Sequence, residues 1–169
     1  MDAPASVLWL LSDRPPTDDW TSIDPKRGRQ HGALPHRHAG MNPSRWNASR
    51  AASVVLIEDH PELAAYLAGR LAEHAEVAVF SEAESARAHI SAHGCTVLIS
   101  DIGLAGMSGI ELCRRLKSDP EFAAIPIILI SALSSDANRR AADQAGAAAF
   151  LAKPFSFEAL LDSLDRVCT

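Results

Sequence analysis

Five short aliphatic runs recur through the second part of the chain. They are Val54-Val55-Leu56-Ile57, Val77-Ala78-Val79-Phe80, Val97-Leu98-Ile99, Ile127-Ile128-Leu129-Ile130 and Ala148-Ala149-Phe150-Leu151. Most are continuously apolar rather than alternating, the pattern of strands covered on both faces. Their onsets are 23, 20, 30 and 21 residues apart, each interval long enough for one helical crossover between parallel strands. Stripes at helical spacing fill the intervals: Leu63, Leu67 and Leu71; Ile110, Cys113 and Leu116; and, after the last run, Leu160, Leu161, Leu164 and Val167. Such stripes are core-facing, and nothing else is assigned to them. Pro61 is placed to open the first helix, Asp119-Pro120 to close the third and Gly146 to end the fourth. Five β-α units with no hairpin signal predict an α/β fold, a doubly wound and mostly parallel sheet. In such a sheet, ligands gather at the carboxyl ends of the strands.

Composition divides the chain near residue 52. Residues 1–52 hold six of the ten prolines, all three tryptophans and three of the seven histidines. They carry 7 Lys+Arg against 5 Asp and no Glu, a net +2, whereas residues 53–169 carry 9 Lys+Arg against 16 Asp+Glu, a net −7. Pro15-Pro16, Pro25, Pro35 and Pro43 interrupt any helix in the first part, which reads as an irregular, disordered arm ahead of one domain at 53–169. His31, His36 and His38 lack helical ligand spacing and no zinc-type cysteine accompanies them, so a solvated tail is preferred to a metal site. Arg27, Arg29, Arg37, Arg45, Arg50 and Trp46 offer contacts to nucleic acid or a partner, but again the solvated tail is preferred. With 169 residues, 47% of them apolar, and an overall charge of −5, the chain can bury a core and does not resemble a broadly basic nucleic-acid binder. The early apolar run Val7 to Leu11 is too short for a signal core or a membrane span. Three unpaired cysteines, Cys95, Cys113 and Cys168, suit a reducing compartment, and a cytoplasmic location is expected. Gly103, Gly106 and Gly109 do not have the spacing of a dinucleotide-binding loop.

The strand ends carry the chemistry. The first run is followed by Glu58-Asp59, the third by Asp101, the fourth by Ser131, and the fifth by Lys153-Pro154. Carboxylates converging from neighbouring strands need a cation or raised pKa values to coexist. Mg²⁺, a hard ion that prefers oxygen ligands, meets that need. A lysine and a small hydroxyl across from it suit a tetrahedral oxyanion between them. Together these groups read as a site for phosphoryl transfer to a carboxylate. Each alone is an ordinary helix cap or surface charge; it is the expected convergence of all five on one edge that points to function.

That constellation resembles the receiver domain of two-component response regulators, chemotaxis receivers included. The likeness covers about residues 53–169, through Val54-Val55-Leu56-Ile57-Glu58-Asp59, Leu98-Ile99-Ser100-Asp101-Ile102-Gly103-Leu104 with Gly109, Ile130-Ser131-Ala132 and Phe150-Leu151-Ala152-Lys153-Pro154-Phe155. The resemblance implies a flavodoxin-like five-stranded sheet of order 2-1-3-4-5 with five helices. It implies Asp101 as phosphoacceptor, and Mg²⁺ held by Asp59 directly, by Glu58 largely through water, by Asp101 and by the Gly103 carbonyl. Lys153 would pair with the phosphoryl group, Ser131 would be the switch hydroxyl and Phe150 the aromatic that turns in behind it. A cis peptide would precede Pro154.

Several positions depart from the common pattern. Glu58 stands in place of Asp, Ser131 in place of Thr, and Ala105 in place of Pro. Gly103 and Leu133 offer no polar side chain to orient an attacking water, so an aspartyl phosphate that is not unusually short-lived is expected. The resemblance implies a sensor histidine kinase or histidine phosphotransfer protein as donor. It also implies a downstream protein target reached through the fourth helix, fifth strand and fifth helix, with Asp136 to Gln144, Arg139, Arg140 and Phe155 on that face. A homodimer through that face is compatible with it, and neither nucleic acid nor membrane is an expected partner. With no output segment recognised after the fifth helix, a stand-alone regulator with no enzymatic activity of its own is the expectation. A phosphorylation-independent binding module of the same fold is the alternative, and a hydrolase acting through an aspartyl intermediate lacks the covering cap it would need.

Overall fold

A computed structural model describes residues 52–133 and 135–168. The expected arm, with its histidine and arginine clusters, lies outside the described residues except for Ala52. The elements alternate strictly: β1 (Ser53–Ile57), α1 (Pro61–Leu71), β2 (Glu76–Phe80), α2 (Ala83–His93), β3 (Val97–Asp101), α3 (Gly109–Ser118), β4 (Ile127–Ser131), α4 (Asp136–Gln144), β5 (Ala149–Ala152) and α5 (Phe157–Val167). All four strand pairings are parallel, and the order is β2-β1-β3-β4-β5.

The two-residue period of the strands sorts their side chains into two core layers. Val54 and Leu56, Val97 and Ile99, and Ile128 and Ile130 turn to the face covered by Leu67 and Leu71 of α1 and Leu160 and Leu164 of α5. Val55 and Ile57, Leu98, and Ile127 and Leu129 turn to the other face, beneath Ala86 and Ile90 of α2, Leu112 and Leu116 of α3 and Ala142 of α4. Continuous apolarity is therefore needed in β1, β3 and β4, which are covered on both sides. The edge strands are different. Every residue of β5 is only partly buried, and Val79 of β2 is 43% exposed.

Local chemistry sets the helix ends. Pro61 opens α1 at its first turn. Ser108, Ser135 and Ser156 cap α3, α4 and α5, each accepting a hydrogen bond from the backbone N–H three residues on. Asp119 closes α3 just before Pro120. Gly146, at φ +88°, turns the chain out of α4, a left-handed conformation that glycine adopts without Cβ strain. A parallel sheet puts every strand's carboxyl end on one edge, and that edge holds the charged residues singled out above.

Candidate functional site

The backbone ladder extends past the strand ends and fixes where the polar side chains begin. The Glu58 N–H donates to the Phe80 carbonyl (3.0 Å), the Ile102 N–H to the Ile130 carbonyl (2.8 Å) and the Lys153 N–H to the Ser131 carbonyl (2.8 Å). Glu58, Asp101, Ser131 and Lys153 are thereby held in register across β1, β3, β4 and the end of β5. Glu58, Asp101 and Ser131 are buried, Asp59 is exposed, and Lys153 lies between.

Glu58, Asp59 and Asp101 each bring a carboxylate oxygen into one group, all within 4.8 Å of one another. Lys153, from the other end of the sheet, sends its ammonium into that group and donates to Glu58 Oε2 at 2.8 Å and to Asp101 Oδ2 at 2.5 Å. Burial alone would lower the lysine pKa, but the hydrogen bonds and charges of Asp101 and Glu58 outweigh it and raise the pKa above the ordinary value. The Lys153 side chain is therefore a fixed cation. The remaining oxygens of Asp101 and Glu58 are held by backbone. Asp101 Oδ1 accepts from the Gly103 N–H (3.0 Å), and Glu58 Oε1 accepts from the His60 N–H (3.2 Å).

One ammonium against three carboxylates leaves a local excess of two negative charges, partly withdrawn from water. Converging oxygen donors, no nitrogen or sulfur ligand, and that excess charge match the preferences of Mg²⁺. The residues present thus fit the hard divalent cation expected from the sequence.

The residues on the β4–α4 side are arranged differently. The Ser131 hydroxyl is engaged locally: it donates to the Leu133 carbonyl and accepts from the Leu133 N–H, both at 3.0 Å. Asn138, on α4, also donates to the Leu133 carbonyl (2.9 Å), while the Leu133 side chain is 71% exposed. Phe150 is half-buried on the α4 side of the sheet, with the Arg139 guanidinium 4.9 Å from its ring centroid. The peptide before Pro154 is cis, as the resemblance implied.

Of two positions that support the site, one was legible in part from sequence and the other not at all. Gly109 appeared as part of a motif, but its role is steric. It begins α3 directly beneath Asp101, and a Cβ there would collide with the Asp101 carbonyl and come within 2.9 Å of Ser100 Oγ. His60 gave no signal, because it contributes a backbone N–H rather than its ring. The cysteines are free thiols. Burial pushes both Cys95 and Cys113 up to about 11, leaving them protonated at neutral pH.

A doubly wound sheet with carboxylates and a lysine gathered at one edge defines a class of proteins, and the sequence comparisons identify which. Residues 54–165 match the response regulator receiver domain, and the chain belongs to that family. The phosphate regulon transcriptional regulatory protein PhoB of Rhizobium meliloti is 35% identical over 109 residues, 64% of this chain and 48% of that protein. The heme response regulator HssR of Staphylococcus saprophyticus is 31% identical over 114 residues, 67% of this chain and 50% of that one. The chain thus spans about half the length of these curated relatives. Among solved structures, a putative response regulator from Chloroflexus aurantiacus superposes with a TM-score of 0.67 at 27% identity, covering 70% of this chain and 98% of that one. The chemotaxis response regulator CheY4 of Vibrio cholerae gives 0.65 at 25% identity, over 69% and 98% of the two chains. No helix among the described residues is long and apolar enough to cross a membrane.

Proposed function

We propose that residues 53–169 form a Mg²⁺-dependent phosphoacceptor unit in which Asp101 takes a phosphoryl group from a histidine kinase or histidine phosphotransfer protein. The observation that carries this reading is the Lys153 ammonium bridging Glu58 and Asp101 among three converging carboxylates. In the transfer, an Asp101 carboxylate oxygen attacks phosphorus, a P–O bond forms and the bond to the donor histidine nitrogen breaks. The product is an acyl phosphate on Asp101 and a free imidazole on the donor.

The chain's own groups prepare that step. The Gly103 N–H and the Lys153 ammonium hold the two Asp101 oxygens, so the carboxylate is oriented before the donor arrives. As the phosphoryl group adds charge, Lys153 can turn from the carboxylates to the new oxygens without leaving its pocket. Glu58, Asp59, Asp101 and the Gly103 carbonyl would hold Mg²⁺, which when bound neutralises the converging carboxylates and the phosphoryl oxygens. On the other side, Ser131 would exchange its Leu133 bonds for a phosphoryl oxygen, and Phe150 would follow it inward. That movement would alter the surface formed by α4, β5 and α5, including Arg139, Arg140 and Phe155, where a protein target would read the state.

Labelling decides this. Acetyl phosphate with Mg²⁺ should label the protein once, and Asp101→Asn should abolish the label while leaving the fold intact by circular dichroism. Label persisting in Asp101→Asn would overturn the assignment. No label on the wild type from acetyl phosphate or any histidine kinase would leave a binding module of the receiver fold.

A further inference from the structure

On α2, two histidines outside the carboxylate cluster stand one turn apart. His89 and His93 have ring centroids 4.4 Å apart and planes inclined by 26°. His89 is half-buried and also meets the Phe80 ring at 5.1 Å, whereas His93 is exposed at the end of the helix. His93 Nδ1 lies 3.1 Å from the His89 carbonyl. A carbonyl oxygen only accepts, so this nitrogen must carry the proton, and Nε2 of the neutral ring then carries the lone pair. Donation of one ring N–H to a backbone carbonyl while the other nitrogen stays available is the arrangement that orients metal-binding histidines. No hydrogen bond among the described residues engages the His89 ring.

We infer that His89 and His93 form a bidentate imidazole site for a late first-row divalent cation, of the Zn²⁺ or Cu²⁺ type, with water completing its coordination. Spacing of i, i+4 puts both rings on one helix face, the same placement that two-histidine zinc motifs use. In the structure the rings stack, so chelation requires the His89 ring to turn until its nitrogen converges with that of His93 on one ion. Imidazole nitrogen favours these cations over Mg²⁺, which prefers oxygen. The two sites are therefore chemically distinct: nitrogen donors on a helix surface against carboxylates at the sheet edge. Cys95, two residues beyond His93, is a part-buried free thiol, and the site is drawn from the two imidazoles alone. A bound ion would join the solvent face of α2 to the end of β2 through the His89–Phe80 contact.

The test uses the full chain in a His31→Gln/His36→Gln/His38→Gln background, which removes the other histidine-rich stretch. Titration with Zn²⁺ in the presence of saturating Mg²⁺ should show one equivalent bound and a raised Tm. His89→Gln and His93→Gln should each weaken binding roughly tenfold or more. With Cu²⁺, electron paramagnetic resonance should report two nitrogen ligands, falling to one in either single variant. A site built from anything else would give Zn²⁺ binding unchanged in His89→Gln, or displacement of Zn²⁺ by Mg²⁺, and either result overturns the inference. So does the absence of binding in a background protein that keeps its wild-type fold.

Discussion

The two sides of the candidate site are held by different physics. On the β1–β3 side, partners are far apart in sequence. Lys153 reaches back to Glu58 and Asp101 and closes a buried ion-pair group across the sheet. On the β4–α4 side, partners are neighbours: Ser131 is satisfied by Leu133 two residues on, and Asn138 by the same carbonyl. The helices repeat the contrast. α5 buries Phe157, Leu160, Leu161 and Leu164, and α3 buries Leu112, Cys113 and Leu116, but within α4 only Ala142 is buried. Long-range charge pairing makes a rigid anchor, because moving any member exposes an unpaired charge in a partly dry site. Local hydrogen bonds on a shallowly packed helix can be exchanged at small cost. The phosphoacceptor reading proposed above calls for that division, a reactive group held still beside a surface that can move.

The largest expected effect tests the rigid side. Lys153→Met leaves Glu58 and Asp101 without a counter-charge, and breaking a buried pair in this way costs about 3–5 kcal/mol. Because Lys153 keeps some exposure, the lower end applies in urea unfolding. Mg²⁺ should restore more of the stability of the variant than it adds to the wild type. A loss below about 1 kcal/mol would show a solvated lysine and erase the contrast.

Gly109→Ala comes next. Its Cβ would meet the Asp101 carbonyl and Ser100 Oγ, both fixed by β3, so α3 must shift away from the strand that carries the carboxylate. Overpacking of this kind costs about 1–3 kcal/mol, and labelling of Asp101 should slow with it. Unchanged stability and labelling would mean that α3 yields freely at its first turn.

How much of this was legible in the sequence depends on whether a property belongs to a residue type or to a placement. The central strands were legible because burial on both faces demands unbroken aliphatic runs, as in Ile127 to Ile130. The helices α1, α3 and α5 were legible through their apolar stripes, although in α3 the stripe of Ile110, Cys113 and Leu116 missed the buried Leu112. α2 and α4 bury mostly alanines, Ala83 and Ala86 or Ala142, which leave no comparable stripe. At the site, Glu58, Asp101, Ser131 and Lys153 were legible because a parallel sheet puts strand ends on one edge. Neither the engagement of Ser131 with Leu133 nor the supporting N–H of His60 could be read. Both depend on the path of a loop, and any residue but proline offers a backbone N–H.

Alkaline pH tests where α4 is tied down. The Cys113 thiol donates to the Ala145 carbonyl at 3.4 Å, joining α3 to the end of α4, and burial raises its pKa from 9.0 to about 11. The folded state therefore holds the proton more tightly than the unfolded state. Stability is complete below pH 9 and falls as pH rises towards about 11, by on the order of 2 kcal/mol. The raised Lys153 adds to the loss in the same direction above its ordinary 10.5. Urea midpoints of wild type and Cys113→Ala across this range should diverge in slope, the variant being flatter. Equal slopes would place the alkaline loss elsewhere.

The smallest effect is expected on the local side. Ser131→Ala removes two hydrogen bonds, but the Leu133 carbonyl keeps Asn138, and the N–H it frees lies in a loop that water can reach. The net cost is about 0.5–1 kcal/mol, a single hydrogen bond's usual worth. Mg²⁺ affinity should stay at the wild-type value, since no carboxylate has lost a partner, and Asp101 should still accept label. The change induced by labelling, read as hydrogen-exchange protection in α4 and β5, should shrink. A stability loss as large as that of Lys153→Met, or a fall in Mg²⁺ affinity, would mean that the Ser131 loop supports the carboxylates after all. The site would then move as one body rather than as an anchor with an adjustable flank.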